Sequence, residues 1–271
     1  MKIAFIGAGN LPEAIIYALV EKLNTDGQNI IIYDKAESQY LKYAKLNVKT
    51  ARDIKNAVNN SDIVFLAVKP QNFAEVLLDI KNSGLDLSNK IFVSPAAGIT
   101  TEYIESQLAQ KAAVIRTMPN TPLLIGKGMT ALCKNNHATD SDFEKVCKIF
   151  AALGEIIILP EDQMNKIISV NGSSPAYVYL FAEAMLQGAV AQGFDEAAIY
   201  PAVLQSVIGA FEMMKSGGKS PAELIKAVAS PGGTTEKALE SFYENDFSGI
   251  IKKAMLACTN RADELTGEYC L

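Results

Sequence analysis

The stretch that decides the fold lies near the amino-terminal end of the chain and reads IAFIGAGNLP, from Ile3 to Pro12. A short apolar strand is followed by a turn with two glycines and then by residues with helical periodicity. The turn is a G-x-G-x-x-G motif in which Pro12 replaces the last glycine. Between a strand and a helix, the motif predicts the phosphate-binding turn of a dinucleotide-binding fold; the alternative is a purely structural glycine turn.

The two glycines have different tasks in such a turn. Gly7 permits the tight bend, and Gly9 lets the backbone approach a pyrophosphate that lies on the N-terminus of the helix. Pro12 is compatible with the first helical turn, where its missing N–H would have no intrahelical partner. The predicted cofactor contacts of this region are Ile6, Gly7, Ala8, Gly9, Asn10 and Leu11.

Short runs rich in β-branched residues alternate with helix-like segments over the first 160 residues. This alternation predicts βαβ units and a mainly parallel sheet. The segment Arg116–Pro122 is expected to be a rigid loop, because two prolines restrict its backbone. The predicted strands are Ile3–Ile6, Ile30–Tyr33, Ile63–Val68, Ile91–Val93, Ala113–Arg116, Met129–Cys133 and Glu155–Leu159.

After Pro160 the β-rich runs end and Ala, Leu, Met and Gly recur at helical spacing. The predicted fold is therefore α/β, with a Rossmann-type domain over residues 1–160 and an all-α domain over residues 161–271. One helix is apolar on nearly every side, which favours a subunit interface; a central helix of a monomeric bundle is the alternative. The predicted helices are Gln163–Val170, Pro175–Gln192, Glu196–Lys215, Pro221–Ala229, Thr235–Tyr243 and Ser248–Leu265.

Residues after three later strands predict contacts to the rest of a dinucleotide. Asp34 follows the second strand, where an acid usually bonds the ribose 2′-OH of NAD, but the adjacent Lys35 could meet a 2′-phosphate, so the choice of cofactor stays open. The small residues that follow two other strands are either part of the nicotinamide site or ordinary turns. They are Ala67, Val68, Lys69 and Pro70, and Ala96, Ala97 and Gly98.

Three turns further along are candidates for the substrate end of the site. Asn120 lies between two prolines, and Ser174 is placed as the N-cap of a long helix. In the third turn, Gly232 and Gly233 expose consecutive N–H groups ahead of a helix, which suits a carboxylate or a phosphate. The residues of this third turn are Ser230, Pro231, Gly232, Gly233, Thr234 and Thr235.

The composition limits the classes of function. The chain has 271 residues, 49% hydrophobic and 20% charged, with a net charge of −5, which argues against disorder and against a nucleic-acid partner. We expect no membrane span, because no apolar run approaches the ~18 residues that a span needs. We also expect no signal peptide, because strand-like residues follow Met1 and Lys2 directly. Four scattered cysteines and one histidine indicate neither a disulfide framework nor a metal site, and favour a cytoplasmic location.

Taken together, these motifs resemble those of the pyrroline-5-carboxylate reductase family. They follow in the family's order from Ile3 to about Leu265, and the Ser-Pro-Gly-Gly-Thr-Thr stretch is the most specific. The matching stretches are Phe5–Asn10, Phe65–Pro70, Met118–Pro122, Gly172–Tyr177 and Ser230–Thr235.

The resemblance implies hydride transfer from NAD(P)H to the C=N bond of 1-pyrroline-5-carboxylate, which gives L-proline in the last step of its biosynthesis. We expect NADPH as the cofactor, with NADH as the alternative. By resemblance, the N–H groups of Gly233, Thr234 and Thr235 hold the substrate carboxylate, and the catalytic Thr235 hydroxyl bonds the ring nitrogen. The resemblance also implies a homodimer or a higher homo-oligomer built through the carboxy-terminal helices.

Three other functions compete with this interpretation. A β-hydroxyacid dehydrogenase needs a lysine and an asparagine on one helix face, and the nearest pair, Lys166 and Asn171, diverges by roughly 140°. A divergent relative could bind nucleotide or proline without turnover, with Pro12 and Pro95 spoiling the hydride geometry. A reductase of another cyclic imine is the third alternative, because the sequence does not measure the size of the pocket.

Overall fold

The computed structural model describes residues 1–270 of the chain and contains one eight-stranded sheet. The strand order is β3-β2-β1-β4-β5-β6-β7-β8, and every neighbouring pair is parallel except the antiparallel pair β6 and β7. The strands are β1 (Ile3–Ile6), β2 (Ile30–Tyr33), β3 (Lys49–Thr50), β4 (Ile63–Leu66), β5 (Ile91–Ser94), β6 (Ala113–Met118), β7 (Gly128–Lys134) and β8 (Gly154–Ile158).

Within residues 1–270, ten α-helices connect and follow these strands, five within the sheet region and five after it. They are α1 (Asn10–Glu21), α2 (Ile54–Asn59), α3 (Phe73–Asn82), α4 (Thr101–Leu108), α5 (Asp140–Ala151), α6 (Ser174–Ala191), α7 (Glu196–Ser216), α8 (Pro221–Val228), α9 (Thr234–Glu244) and α10 (Phe247–Tyr269). The predicted α/β fold, a Rossmann-type sheet followed by helices, is confirmed.

The first strands create a crevice because their order reverses at β1. Ile6, the last residue of β1, is in register with Tyr33 of β2 on one side and with Leu66 of β4 on the other. Three strands therefore end at the same edge of the sheet, next to each other. In open α/β sheets this is the place where ligands bind.

Both faces of the sheet are buried, which keeps the strands at this edge fixed. Ile3 and Phe5 pack into a core on one face, whereas Ala4 and Ile6 pack into a second core on the other. Phe5 stacks on Phe65 with ring centroids 4.6 Å apart. A sheet covered on both sides needs continuous apolar runs, which explains why these strands could be read directly from the sequence.

Two local predictions are wrong. Residues 116–118 belong to strand β6 rather than to a loop, since a proline at position 119 favours extended backbone in the residue before it. The predicted helix Gln163–Val170 is replaced by two short 3-10 helices, Glu161–Gln163 and Lys166–Ser169. Met164 and Ile168 are buried against β6 and β7 residues, and this packing overrides local helix propensity.

The chain forms two compact units by its internal contacts, and the predicted domain boundary near residue 160 stays a prediction. The first unit contains residues 1–173 and the chain from Cys258 onward, and the second contains residues 174–257. Residues 161–173 belong with the sheet because Met164 and Ile168 share its core, and Ala262 of α10 joins the same cluster. The second unit therefore begins with α6 and ends inside α10.

Candidate active site

A cleft of about 670 Å³ opens where β1, β2 and β4 end. Most of the residues predicted to bind a cofactor line it, although their roles stay predictions. Those lining the cleft are Ile6, Gly7, Gly9, Asn10, Asp34, Lys35, Ala67, Val68 and Lys69.

Gly7 makes the tight turn at the end of β1. Its φ of +102° lies in a region that favours glycine, and its N–H donates to the carbonyl of Tyr33 at 2.8 Å. A Cβ at this position would lie 2.4 Å from the carbonyl oxygen of Ala67. The turn therefore needs glycine here for reasons internal to the fold.

Gly9 differs because nothing in the protein crowds it. No atom lies within 4 Å of a Cβ built there, and Gly9 is the N-cap of α1 without a side-chain capping bond. The first N–H groups of α1 therefore face open space at the positive end of the helix dipole. This cradle fits the pyrophosphate of a dinucleotide, with Gly9 giving the backbone its close approach.

Asp34 is held at the edge of the cleft by backbone hydrogen bonds to both of its carboxylate oxygens. Ala8 N–H donates to Oδ2 and Ala36 N–H donates to Oδ1, each at 2.8 Å. The hydroxyl of Tyr40 donates to the Asp34 carbonyl at 2.9 Å. The position of this carboxylate is thus fixed by the turns around it.

Tyr40 and Tyr43 form hydrogen bonds with the backbone beside the cleft, and the sequence analysis did not single them out. Tyr43 is 1% exposed, and its hydroxyl donates to the carbonyl of Ala8 at 3.0 Å. Burial raises the pKa of the Tyr43 phenol well above its usual range, so it stays a donor. Tyr40 and Tyr43 lie one turn apart shortly after Asp34, and this spacing is visible in the sequence. The contact of Tyr43 with Ala8 joins residues 35 positions apart, so the local sequence does not predict it.

Lys35 points across the cleft to an acid on α3. Its Nζ lies 2.8 Å from both carboxylate oxygens of Glu75, and this partner raises the pKa of Lys35. Lys42, which also lines the cleft, lies 3.3 Å from Glu13 and 3.2 Å from the side-chain oxygen of Asn10. Both lysines are therefore paired with carboxylates of the protein itself.

The other predicted cofactor residues do not line this cleft. Ala8 is fully buried and acts through its backbone, and the side chain of Leu11 packs against the core. Pro70 begins a short 3-10 helix. Ala96 is buried, as is Gly98, where a Cβ would lie 2.9 Å from the Cβ of Leu265. The structure does not bring the segment from Ala96 through Ala97 to Gly98 into the same cavity.

In the second unit, the turn before α9 differs from the expected arrangement in one respect. The N–H of Gly233 donates to the carbonyl of Ser230 at 2.9 Å, and the N–H of Gly232 donates to Glu236 at 2.7 Å. Two glycine donors are therefore already used inside the turn. Thr234 and Thr235 begin α9, which has no side-chain cap, and their N–H groups remain for an anion.

Asn120 and Asn171 connect backbone segments at the end of β6. Asn120 accepts from the N–H of Met129 at 2.9 Å and donates to the carbonyl of Asn171 at 3.2 Å. Asn171 is 4% exposed and donates to the carbonyl of Met118 at 2.7 Å. Lys166 is exposed on a short 3-10 helix, so no helix carries the lysine and asparagine pair of a β-hydroxyacid dehydrogenase.

An ion pair joins a buried arginine of β6 to a half-buried acid. Arg116 donates through Nη1 to Glu161 at 2.9 Å and through Nη2 to Asn165 at 2.6 Å. Asn165 in turn donates to Asp263 of α10 at 2.8 Å. Within residues 1–270, no group of three or more His, Cys, Asp or Glu side chains is arranged to hold a metal ion.

Comparison with known proteins shows an oxidoreductase that uses NAD(P)H, with the cleft at the end of β1 as its candidate cofactor site. Residues 2–98 match the family described as "NADP oxidoreductase coenzyme F420-dependent", and residues 161–265 match "Pyrroline-5-carboxylate reductase dimerisation". The pyrroline-5-carboxylate reductase of Vibrio alginolyticus is 38% identical over 97% of each chain. The chain belongs to the pyrroline-5-carboxylate reductase family.

Solved structures agree over the same length. The Plasmodium falciparum pyrroline carboxylate reductase with NADP bound has a TM-score of 0.89 at 27% identity, covering 98% of each chain. The Coxiella burnetii pyrroline-5-carboxylate reductase has a TM-score of 0.88 at 32% identity, again covering 98% of each chain. Both of the chain's units therefore belong to one known type of protein.

Proposed function

We propose that this chain reduces the C=N bond of 1-pyrroline-5-carboxylate to give L-proline. The observation that carries this proposal is the family match over nearly the full length, 38% identity to a named reductase. The cleft at the end of β1 supports it, because an uncapped helix N-terminus with an open glycine fits a dinucleotide.

When bound in the cleft, NAD(P)H would supply the hydride for the imine carbon, and the π electron pair of the C=N bond would become the lone pair of the amine nitrogen. The N–H groups of Thr234 and Thr235 hold the substrate carboxylate at the N-terminus of α9, where the helix dipole favours negative charge. The Thr235 hydroxyl bonds the ring nitrogen and keeps it oriented. Ser174 and Ser230 are proposed as further contacts to the substrate, and the substrate role of Asn120 stays a prediction. A protonated imine is already electrophilic, so orientation accounts for most of the catalysis.

The proposal is tested by following the loss of NADH and NADPH absorbance with 1-pyrroline-5-carboxylate. Thr235→Ala is expected to lower kcat/KM at least about tenfold, and Thr235→Ser is expected to restore most of it. Thr50→Ala, an exposed threonine on β3, is the matched control and keeps wild-type activity. Cofactor binding without turnover in the wild-type protein would instead support a non-catalytic relative.

We also propose a homodimer formed through the carboxy-terminal helices, with higher oligomers open. Large apolar side chains of α6 and α7 are exposed in the single chain, among them Tyr179 at 62% and Leu180 at 70%. By length and composition α7 could cross a membrane, but helices that pack inside soluble proteins have the same properties. A partner copy accounts for these surfaces and fits the matched dimerisation family.

Light scattering on the purified protein tests the assembly. Leu180→Glu is expected to shift the mass toward that of one chain, because a charge in an apolar interface is costly. Leu78→Glu places the same charge on an exposed position of α3 and should leave the mass unchanged. We further propose a cytoplasmic location, which the four free thiols of the described chain support.

A further inference from the structure

The ribose edge of the cofactor cleft carries a fixed negative charge. Asp34 lines the cleft and is half-buried, and each of its carboxylate oxygens accepts one backbone N–H, from Ala8 or from Ala36. Turning this side chain away from a bound nucleotide would break both hydrogen bonds. Each oxygen still has a lone pair for a donor on the ligand.

Three lysines line the same cleft, and two of them, Lys35 and Lys42, are paired with acids of the protein. The third, Lys69, follows β4, which lies on the opposite side of β1 from the strand before Asp34. Lys35 makes a two-oxygen contact with Glu75 at 2.8 Å. Lys42 lies 3.3 Å from Glu13. To bind a phosphate, either lysine would have to leave its acid, which would then face the phosphate as well. The pairs therefore offer little net positive charge.

No arginine of the described chain lines the cleft. Arg116 is buried and pairs with Glu161, and Arg261 pairs with Glu264 and Glu268. The remaining Arg52 is exposed and lies 3.3 Å from Asp53. The planar, two-pronged contact that arginine makes with a phosphate is thus missing from the ribose edge.

We infer that Asp34 makes this protein select NADH over NADPH. The free 2′-hydroxyl of NADH donates to the carboxylate, whereas the phosphate of NADPH offers oxygens and negative charge to a group that is itself an acceptor and an anion. The inference rests on the proposed function only in taking this cleft as the NAD(P)H site. It reverses, for this chain, the preference for NADPH that the family resemblance suggests.

Direct binding tests the selection without any turnover. NADH and NADPH are titrated separately into the purified protein, without substrate, by calorimetry or by the change in cofactor fluorescence. We expect the Kd of NADH to be at least about tenfold below that of NADPH at low salt. Added salt should narrow the difference, because it screens the repulsion between the phosphate and Asp34.

Variants assign the effect to Asp34. Asp34→Asn keeps an acceptor oxygen but removes the charge, and Asp34→Ser serves as a second variant should Asn destabilise the turn. Either variant should lower the ratio of the Kd for NADPH to the Kd for NADH about tenfold. Asp86→Asn removes an exposed loop carboxylate outside the cleft and should leave the ratio unchanged.

Several results would overturn the inference. These are equal or tighter binding of NADPH by the wild-type protein, an unchanged ratio in both Asp34 variants, or no binding of either cofactor. Selective NADH binding without reduction of 1-pyrroline-5-carboxylate would sustain the inference and defeat the proposed function. Cofactor titration therefore tests the selection of NADH, and the turnover assay tests the reduction of 1-pyrroline-5-carboxylate.

Discussion

The guanidinium of Arg116 is 1% exposed and donates to the carboxylate of Glu161 at 2.9 Å. The same carboxylate accepts the hydroxyl of Thr101 at 2.8 Å, so one acid joins β6, α4 and the 3-10 helix that begins at residue 161. A buried cation without its anion is strongly destabilising, which makes this pair a fixed point of the first unit.

Glu161→Gln should therefore lower the free energy of unfolding by about 2–3 kcal/mol, less than for a fully enclosed pair because Glu161 is 34% exposed. Urea unfolding followed by circular dichroism measures this. Glu144→Gln breaks a 4.0 Å pair with Lys148 in which both side chains are exposed, and should cost less than about 0.5 kcal/mol. Equal losses of unfolding free energy in Glu161→Gln and Glu144→Gln would show that the pair of Arg116 with Glu161 contributes no more than an exposed pair.

The two glycines of the phosphate-binding turn should respond differently to alanine. Gly7→Ala forces a Cβ to 2.4 Å from the Ala67 carbonyl oxygen at a positive φ, and we expect a loss of roughly 2 kcal/mol or more in stability. Gly9→Ala meets no protein atom and should fold normally but bind NAD(P)H more weakly. Thermal unfolding measures the loss of stability, and cofactor titration measures the loss of binding. Normal cofactor affinity in Gly9→Ala would show that the cofactor does not approach the backbone closely at Gly9.

Tyr43→Phe should disturb the phosphate-binding turn at Gly7–Gly9. It removes the donor to the Ala8 carbonyl and leaves a buried oxygen unpaired, at a cost of about 1–2 kcal/mol. If Tyr43 positions the turn, the KM for NAD(P)H should rise more than kcat falls. Tyr17→Phe removes a longer, 3.4 Å bond to the Lys42 carbonyl and serves as the matched control. A variant with lower stability but unchanged KM would limit Tyr43 to a structural role.

Tyr43 also predicts a loss of stability in alkali. Burial raises the pKa of its phenol above that in the unfolded chain, so the folded protein holds this proton more tightly. The resulting stability is full below about pH 10 and is lost as the pH rises above that value. The unfolding midpoints measured at about pH 9 and about pH 11 should therefore differ less in Tyr43→Phe than in the wild-type protein. The Cys133 thiol, whose pKa burial also raises, contributes equally to both proteins.

Glu236 competes for the turn that holds the substrate carboxylate in the proposed site. Its carboxylate accepts the N–H of Gly232 at 2.7 Å, directly ahead of Thr234 and Thr235. Glu236→Gln removes this charge and should lower the KM for 1-pyrroline-5-carboxylate about threefold, because the carboxylates of Glu236 and the substrate no longer repel each other. Glu240→Gln lies one turn further along α9 and pairs with Lys237, so it should change KM little. An increase of KM in Glu236→Gln would show that Glu236 supports the turn instead.

The sequence predicts the strands closely because buried parallel strands need uninterrupted apolar runs. Ile3–Ile6 and Ile30–Tyr33 match the structure residue for residue. The failures occur where long-range contacts override local pattern. Residues 163–170 look helical but are held by Arg116 and by the core, and strand β6 continues up to Pro119 because extended backbone is what a following proline favours.

Prediction of the site shows the same division. The glycine turn and Asp34 could be found from spacing along the chain, and they lie together at the cleft. Tyr43 could not, because its contact with Ala8 depends on how two distant segments fold together. The donor of Gly233 could not be assigned either, since the bond to Ser230 depends on the conformation of the turn.

Leu265 of α10 and Cys270 lie against the loop that contains Gly98, which follows β5. Leu265 fills the space beside Gly98, and the thiol of Cys270 donates to the Gly98 carbonyl at 3.2 Å. During synthesis the Gly98 loop is made some 170 residues before Cys270, so this contact forms only after the strands and helices between them have been translated. Changes at Leu265 or Cys270 would therefore be felt at a loop far earlier in the sequence.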